Sequence, residues 1–253
     1  MRIRTYALMF LVIFLSALAC SCGDSTVGVS VTFGSYYNDN SETKSGIEWT
    51  VVEKKNGSVY LMTSDIIDCV PYDIDSGRAE KGSVWKDSYI RRWLNEDFYD
   101  TAFTDEEKAI INETDITVKY YPKGIESKET EKSTDRVFLL SDKQAKKLAV
   151  EQLAAPITKY ASEKYDSVSS NMDNGAWNIT NVSGSSTDIG KGTWWIMSPG
   201  SYYYGSCVDR DGVIHSVECF KLRYYECIDN YAACVGVRPV ISMKYEDYIN
   251  LIK

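Results

Sequence analysis

Residues 47–63, IEWTVVEKKNGSVYLMT, carry the strongest local folding signal in the chain. Residues 47–53 and 58–63 are rich in β-branched and aromatic side chains interleaved with polar ones, which is typical of strands with one buried face. Between them, Asn56-Gly57 supplies the positive φ angles that a tight turn needs. This stretch therefore predicts a β-hairpin and makes antiparallel strands part of the fold.

Further elements are predicted on both sides of this hairpin. Residues 29–36 alternate as a strand. Residues 89–99 predict a helix, because their apolar side chains recur on one helical face. Two capping boxes, at 104–107 and 141–144, start further helices, and the second of these is expected to run to residue 153. The middle of the chain is therefore expected to be helical.

The C-terminal third returns to strands. Residues 193–197, 206–209, 213–217 and 236–242 have strand composition, and Asp211-Gly212 is a second hairpin signal. Strands, then helices, then strands, without a regular βαβ alternation, predict an α+β fold with a mostly antiparallel sheet and two or three helices. The N-terminal and C-terminal strands are expected to meet in one sheet.

Charge and composition exclude several classes of partner. The chain of 253 residues has 28 Lys+Arg against 36 Asp+Glu, a formal net charge of −8. This balance argues against nucleic acid, because phosphate binding requires a basic surface. The single His excludes a His-rich metal site. The unusual feature is 19 Tyr in a chain that is 13% aromatic, which directs attention to binding surfaces built from rings.

The first residues have the organisation of a secretory signal. Two arginines precede the uncharged apolar residues 6–15, which are too few to span a bilayer, and small residues follow. Ala17-Leu18-Ala19-Cys20 resembles a bacterial lipobox, in which the cysteine thiol is acylated and becomes the new N-terminus. We therefore expect export and a lipid anchor on Cys20 that holds the chain on the extracellular face of the cell membrane.

The domain organisation follows from this reading. Residues 1–19 are predicted to be a lipoprotein signal peptide. Residues 20–30 are predicted to comprise the lipidated cysteine and a flexible tether of small and polar residues. Residues 31–253 are predicted to form a single α+β domain.

Export also changes how the cysteines are interpreted. Four of them lie close together near the C-terminus: Cys207, Cys219, Cys227 and Cys234. In an oxidising compartment this predicts one or two disulfides, with the choice among three pairings left open. The alternative is free buried thiols, because cysteine is also a good small hydrophobic residue. A structural zinc site is disfavoured, because these spacings contain no C-x2-C knuckle.

Seven short motifs follow one another along the chain: FGSY at 33–36, IEW at 47–49, IDCVPY at 67–72, W-x-x-S-x-x-R-x-W-L-N-x-x-F-Y at 85–99, FLLS at 138–141, W-W-x-x-S-P-G at 194–200 and GVRP at 236–239. In this order they resemble a bacterial domain of unknown function (family 6273) of lipoproteins and cell-surface proteins in Firmicutes. The resemblance runs from about Val31 to Ser242 and implies no established activity. The last two motifs are also similar to the end of C-type-lectin-like folds of the formylglycine-generating-enzyme kind. That similarity implies a C-type-lectin-like, sulfatase-modifying-factor-like architecture.

Aromatic residues near the C-terminus form the first candidate ligand site. Exposed rings combine flat apolar area with a polar edge, so they suit sugar rings or peptide side chains. The candidates are Trp177, Trp194, Tyr202, Tyr203 and Tyr204, with Arg238 as a polar partner. The alternative is packing. Trp194 and Trp195 point to opposite faces of a strand, so at least one is expected in the core, and Arg238 is expected to pair with a carboxylate there.

Asp209 and Asp211 are the candidate metal ligands. Their carboxylates at i, i+2 suit a hard cation, and lectin-like folds often hold calcium, so a bound Ca²⁺ is one interpretation. The other is a solvated turn, because a third acidic ligand is absent from this fragment. We expect no other cofactor.

Three functions remain open. The first is a non-catalytic extracellular binding module for glycans or surface proteins, which the lipobox and the aromatic excess favour over an enzyme. The second is an enzyme that modifies envelope polymers through paired carboxylates. The third is a structural or assembly component of a larger surface complex.

Overall fold

The structure is a computed structural model that describes residues 26–73, 84–120, 129–169, 190–199, 204–221 and 234–253. These residues form two five-stranded sheets, a two-stranded sheet and several short helices. The strands are β1 (Ser30–Tyr37), β2 (Lys44–Lys55), β3 (Ser58–Thr63), β4 (Asp68–Pro71), β5 (Thr114–Tyr120), β6 (Glu129–Asp135), β7 (Val137–Phe138), β8 (Trp194–Pro199), β9 (Tyr204–Val208), β10 (Ile214–Lys221), β11 (Cys234–Val237) and β12 (Val240–Lys244). The α-helices are α1 (Tyr89–Trp93), α2 (Tyr99–Ala102), α3 (Asp105–Ile110), α4 (Asp142–Ala145), α5 (Val150–Leu153), α6 (Lys159–Ser169) and α7 (Tyr245–Leu251).

The first sheet has the strand order β1-β2-β3-β12-β7, and all of its pairs are antiparallel. Its centre is the predicted hairpin, whose turn residues Asn56 and Gly57 have φ angles of 52° and 78°. Strand β12 pairs with β3, which confirms that N-terminal and C-terminal strands meet in one sheet.

The second sheet has the order β10-β9-β8-β11-β4. The pair β8–β11 is parallel and the others are antiparallel. The turn between β9 and β10 contains the predicted Asp211-Gly212, with Gly212 at a φ of 80°. The protein is thus a mixed α+β fold with mostly antiparallel sheets, as predicted.

The chain passes from the second sheet to the first at Arg238-Pro239. We predicted one strand over residues 236–242, but β11 ends at Val237 and β12 begins at Val240. Proline has no N–H to donate to a ladder, so a strand is readily interrupted there. The carbonyl of Pro239 instead accepts a hydrogen bond from Thr63 N–H (3.1 Å), which links the crossover to β3.

The helices are shorter and more numerous than the predicted two or three. Ser88 caps α1, a π-helical turn (Leu94–Phe98) joins α1 to α2, and both predicted capping boxes are present. The helix predicted to reach residue 153 divides into α4 and α5. The reason is local: the side chain of Gln152 accepts from Ala149 N–H (3.1 Å) and starts a new helix after residue 149.

Tryptophan indoles fill the core of the described residues. Trp49, Trp85, Trp194 and Trp195 are fully buried. Each indole N–H has an acceptor, and for Trp49 this is the Phe33 carbonyl at 2.7 Å. These four tryptophans therefore serve packing, and each of their buried N–H groups is satisfied.

The N-terminal predictions fall mainly outside the described residues. The signal peptide at 1–19 and the lipidated Cys20 lie there, as does most of the tether. Within the part of the chain that is described, none of the helices has both the length and the apolar character needed to cross a membrane.

Candidate functional site

Two of the residues predicted to bind a ligand lie in the core. Trp194 is fully buried and donates its indole N–H to the Leu153 carbonyl at 2.9 Å. The guanidinium carbon of Arg238 lies 4.9 Å from the centroid of the Trp194 ring. Trp177, Tyr202 and Tyr203 lie outside the described residues, and Tyr204 is the first residue of β9.

Arg238 contacts backbone carbonyls, not the carboxylate that we expected. Its Nε donates to the Thr63 carbonyl (3.0 Å), Nη2 to that of Ser64 (3.1 Å) and Nη1 to that of Gln152 (2.8 Å). Burial lowers the pKa of Arg238 to about 9, and the nearby charge of Asp65 opposes this effect. The guanidinium thereby joins the end of β3 to α5.

The predicted calcium ligand Asp209 forms hydrogen bonds within its own hairpin. One oxygen accepts from the N–H groups of Asp211 and Val213 (both 2.9 Å), and the other lies 2.7 Å from Nε2 of His215. Partial burial alone would raise the pKa of Asp209, but these contacts lower it below its ordinary value. The described residues contain no group of three or more side chains of the kinds that could hold a metal ion.

Cys207 is disulfide-bonded. This confirms the expectation that at least one of the C-terminal cysteines is oxidised. Its strand, β9, lies in the second sheet between β8 and β10.

A pocket of about 130 Å³, which we call the Tyr37 pocket, opens where β1 ends and β2 begins. Its other walls are the connection from β3 to β4 and the residue before α6. Backbone hydrogen bonds hold these segments together, from Tyr160 N–H to the Asn38 carbonyl (2.8 Å) and from Thr158 N–H to the Ile66 carbonyl (3.0 Å). The lining residues are Tyr36, Tyr37, Asn38, Ser45, Gly46, Ile47, Glu48, Asp65, Ile67 and Thr158.

A β-bulge between Thr32 and Ser35 turns Tyr36 into this site. Along β1 the buried side chains are Val31 and Phe33, and then Tyr36, so the alternation shifts by one residue at the bulge. Gly34 sits there with a φ of 67°, which favours glycine. Without the bulge, Tyr36 would face the other side of the sheet.

The Tyr36 hydroxyl donates to a buried carboxylate behind the pocket. It lies 2.7 Å from Oδ2 of Asp68, a fully buried side chain whose Oδ1 accepts from Lys164 Nζ at 2.7 Å. Burial and the charge of Asp68 raise the pKa of Tyr36 far above its ordinary range. Burial alone would lower the pKa of Lys164, but the neighbouring carboxylate of Asp68 raises it above its ordinary value. These groups are therefore a neutral phenol and an ion pair, which suits positioning more than proton transfer.

Aromatic rings cluster at the same end of β1. The ring centroid of Tyr37 lies 5.2 Å from those of Tyr36 and Tyr160. Lys164 Nζ lies 5.3 Å from the centroid of the Tyr160 ring. Tyr36, which is buried, and Tyr37, which is half-buried, thus form an aromatic wall of the pocket, and Tyr160 packs against Tyr37 outside the lining.

Two carboxyl groups complete the lining. Glu48 is exposed on β2, and Asp65 is half-buried after β3. Burial raises the pKa of Asp65. The positive charge of Arg238 opposes this change, and the negative charge of Glu48 adds to it. The two carboxylates therefore repel each other across one pocket.

The sequence analysis did not identify this pocket, although some of its lining residues, and the carboxylate behind it, lie in motifs already quoted. Tyr36 belongs to FGSY at 33–36, Glu48 to IEW at 47–49, and Asp68 to IDCVPY at 67–72. These three motifs meet in space at one site. Their order along the chain was the available signal, but it gave no distances between them.

The fold and this pocket define an α+β domain with a polar pocket that tyrosine rings help to line. The chain belongs to the family Domain of unknown function (DUF6273), which matches residues 56–245. The match begins after the first two of the seven motifs, so it is shorter than the resemblance from Val31 to Ser242. No curated protein and no solved structure matches the chain.

Proposed function

We propose that this protein is an exported, lipid-anchored lipoprotein whose domain is a non-catalytic extracellular binding module, with a glycan as the ligand of the Tyr37 pocket. The observation that carries the proposal is the combination, in one pocket, of tyrosine rings with amide, hydroxyl and carboxylate groups. Sugar rings need this combination, because they present apolar faces and polar edges at once.

The size of the pocket supports partial insertion of one sugar ring of a longer chain, with the rest of that ring outside the pocket. Its volume is about 130 Å³, and a cavity of about 150 Å³ holds one benzene ring. Asn38, Ser45 and Thr158 lie in the lining and offer hydrogen-bonding groups to hydroxyls. The rest of a glycan would extend over the exposed start of β2.

The residues predicted near the C-terminus belong to the same proposal as a second surface. Trp177, Tyr202, Tyr203 and Tyr204 would offer rings to a glycan or to a surface protein. A C-type-lectin-like arrangement of the second sheet, and a bound Ca²⁺ at Asp209, are also part of the proposal. The lipid on Cys20 would supply the contact with the membrane.

A second candidate function is hydrolysis of an envelope polymer by paired carboxylates. The observation that favours it is that Glu48 and Asp65 line one pocket and that Asp65 has a raised pKa. A carboxyl group with a raised pKa suits a general acid, and an ionised partner suits a base. Release of new reducing ends from a bound glycan, and its loss in Asp65→Asn, would favour this function over the binding module.

The binding module is tested by calorimetric titration of the full-length protein in detergent micelles. The probes are hexasaccharides of N-acetylglucosamine, glucosamine, glucose and mannose. We expect at least one to bind, and Tyr37→Ala to weaken it about tenfold, since a ring contact contributes about 1 kcal/mol or more. The matched control is Tyr245→Ala, a half-buried tyrosine on α7, which should leave binding unchanged. Equal weakening by both variants, or no binding of any probe, would contradict the proposal.

A further inference from the structure

Building on the proposed function, we propose that the Tyr37 pocket selects sugars that carry a free primary amine, an ammonium group at neutral pH, over N-acetylated or neutral sugars. Two described lining residues, Glu48 and Asp65, bear a formal charge, and both charges are negative. A ligand that brings one positive charge into this pocket gains attraction to two carboxylates at once.

The positive side chains behind the pocket offset this charge only in part. Lys164 is paired with Asp68 at 2.7 Å, so the two together are neutral. The charge of Arg238 lowers the pKa of Asp65 through space, but the residue is only 3% exposed and its N–H groups donate to backbone carbonyls. Neither cation is among the described residues that line the pocket.

Lys44, at the start of β2, donates its hydrogen bond to a backbone carbonyl. Its Nζ donates to the Thr101 carbonyl at 2.6 Å and lies 5.7 Å from the centroid of the Tyr37 ring. This contact shows that an ammonium group is accommodated next to the Tyr37 ring. The ring quadrupole favours cations, so the aromatic wall and the carboxylates select for the same charge.

The repulsion between the carboxylates of Glu48 and Asp65 also favours a positively charged ligand. Burial raises the pKa of Asp65 against the influence of Arg238, and Glu48 raises it further. A bound ammonium group would relieve this repulsion, whereas a neutral acetamide would not. The difference between amine and acetamide should therefore appear as a difference in affinity.

The test compares two probes that differ only at the amine. Full-length protein is titrated with a hexamer of glucosamine and with the corresponding hexamer of N-acetylglucosamine at pH 7 and low salt. We expect the glucosamine hexamer to bind about tenfold more tightly, and this preference to shrink in high salt because the charges are partly exposed. Glu48→Gln should remove most of the preference, and Glu42→Gln, a nearby exposed acid, should retain it.

The outcomes separate this inference from the function on which it rests. Equal affinity for the two hexamers, or binding of neither while a glucose or mannose hexamer binds, would overturn the amine preference and leave the glycan-binding module intact. Binding of none of the four hexamers would count against both. Tighter binding of pentalysine than of the glucosamine hexamer would identify a protein side chain as the occupant and would overturn the sugar assignment. If Glu48→Gln lost its folded circular dichroism spectrum, Asp65→Asn would replace it, with the same loss of preference expected.

Discussion

Replacing Arg238 by Met should destabilise the protein strongly, because the guanidinium donates hydrogen bonds to three backbone carbonyls at the crossover between the two sheets. The Met side chain retains an apolar stem against Trp194 but donates no hydrogen bonds. It therefore leaves the carbonyls of Thr63, Ser64 and Gln152, now at 2.8–3.1 Å from guanidinium nitrogens, without this donor.

The magnitude follows from those contacts. An unsatisfied buried acceptor costs about 1–3 kcal/mol. Three such losses are not additive, because the chain relaxes and the variant no longer has to bury a charge. We therefore expect a decrease of about 3–5 kcal/mol in the free energy of unfolding. For a domain of this size, this corresponds to a fall of roughly 6–20 °C in Tm.

The assay is urea unfolding followed by tryptophan fluorescence, with calorimetry for the Tm. Arg136→Met is the matched control. Arg136 pairs with Glu113 at 2.7 Å, but both side chains are about half exposed, so this change should cost less than about 1 kcal/mol. A loss below about 1 kcal/mol for Arg238→Met, or equal losses for the two variants, would refute the reasoning.

Other predictions concern the bulge, a buried carboxyl group and the anchor. Gly34→Ala should lower the free energy of unfolding in urea by about 2–5 kcal/mol, because φ is 67° and the new Cβ would lie 2.7 Å from the Phe103 ring. Gly57→Ala is the control: φ is also positive but there is open space around the residue, so the loss should be about 1–2 kcal/mol. Burial raises the pKa of Glu131 to about 7, so its contribution to stability is full below about pH 4.5 and is lost as the pH rises through 7. Glu131→Gln should therefore gain about 1–2 kcal/mol relative to the wild type between pH 5 and pH 8, after allowance for solvent screening; a constant difference would contradict this. Cys20→Ala should move the protein from the membrane to the soluble fraction and abolish palmitate labelling, and unchanged fractionation would count against the lipid anchor.

The sequence predicted the parts of the fold that local chemistry determines. The turn at Asn56-Gly57, the second turn at Asp211-Gly212 and both capping boxes are present where they were predicted, because each depends on a few adjacent residues. The interruption at Arg238-Pro239 was missed. Residues 236–242 have strand composition apart from Pro239, and the two halves that this proline separates pair with different sheets.

The candidate site could not be predicted from local sequence patterns either, because it depends on contacts between residues far apart in the chain. The direction of Tyr36 depends on a bulge at Gly34, whose N–H donates to Glu107 at 3.0 Å, a contact across 73 residues. Asp68 lies in a buried strand, and its partner Lys164 is 96 residues away. The aromatic count indicated ring-based binding, but the fully buried Trp194 and Trp195 show that ring counts do not separate core from surface.

The position of Arg238 couples the stability of the fold to the geometry of the pocket. Its acceptors Thr63 and Ser64 immediately precede Asp65, so the guanidinium that holds the end of β3 also fixes the wall that carries this carboxylate. A loss of Arg238 should therefore weaken ligand binding as well as stability, although its side chain is buried away from the ligand. Tyr37 and Glu48 lie on the partly exposed rim instead, so changes there should alter affinity with little effect on unfolding. Measuring both unfolding and binding for the two classes of variant therefore shows whether the buried core determines the geometry of the pocket or whether its exposed side chains act alone.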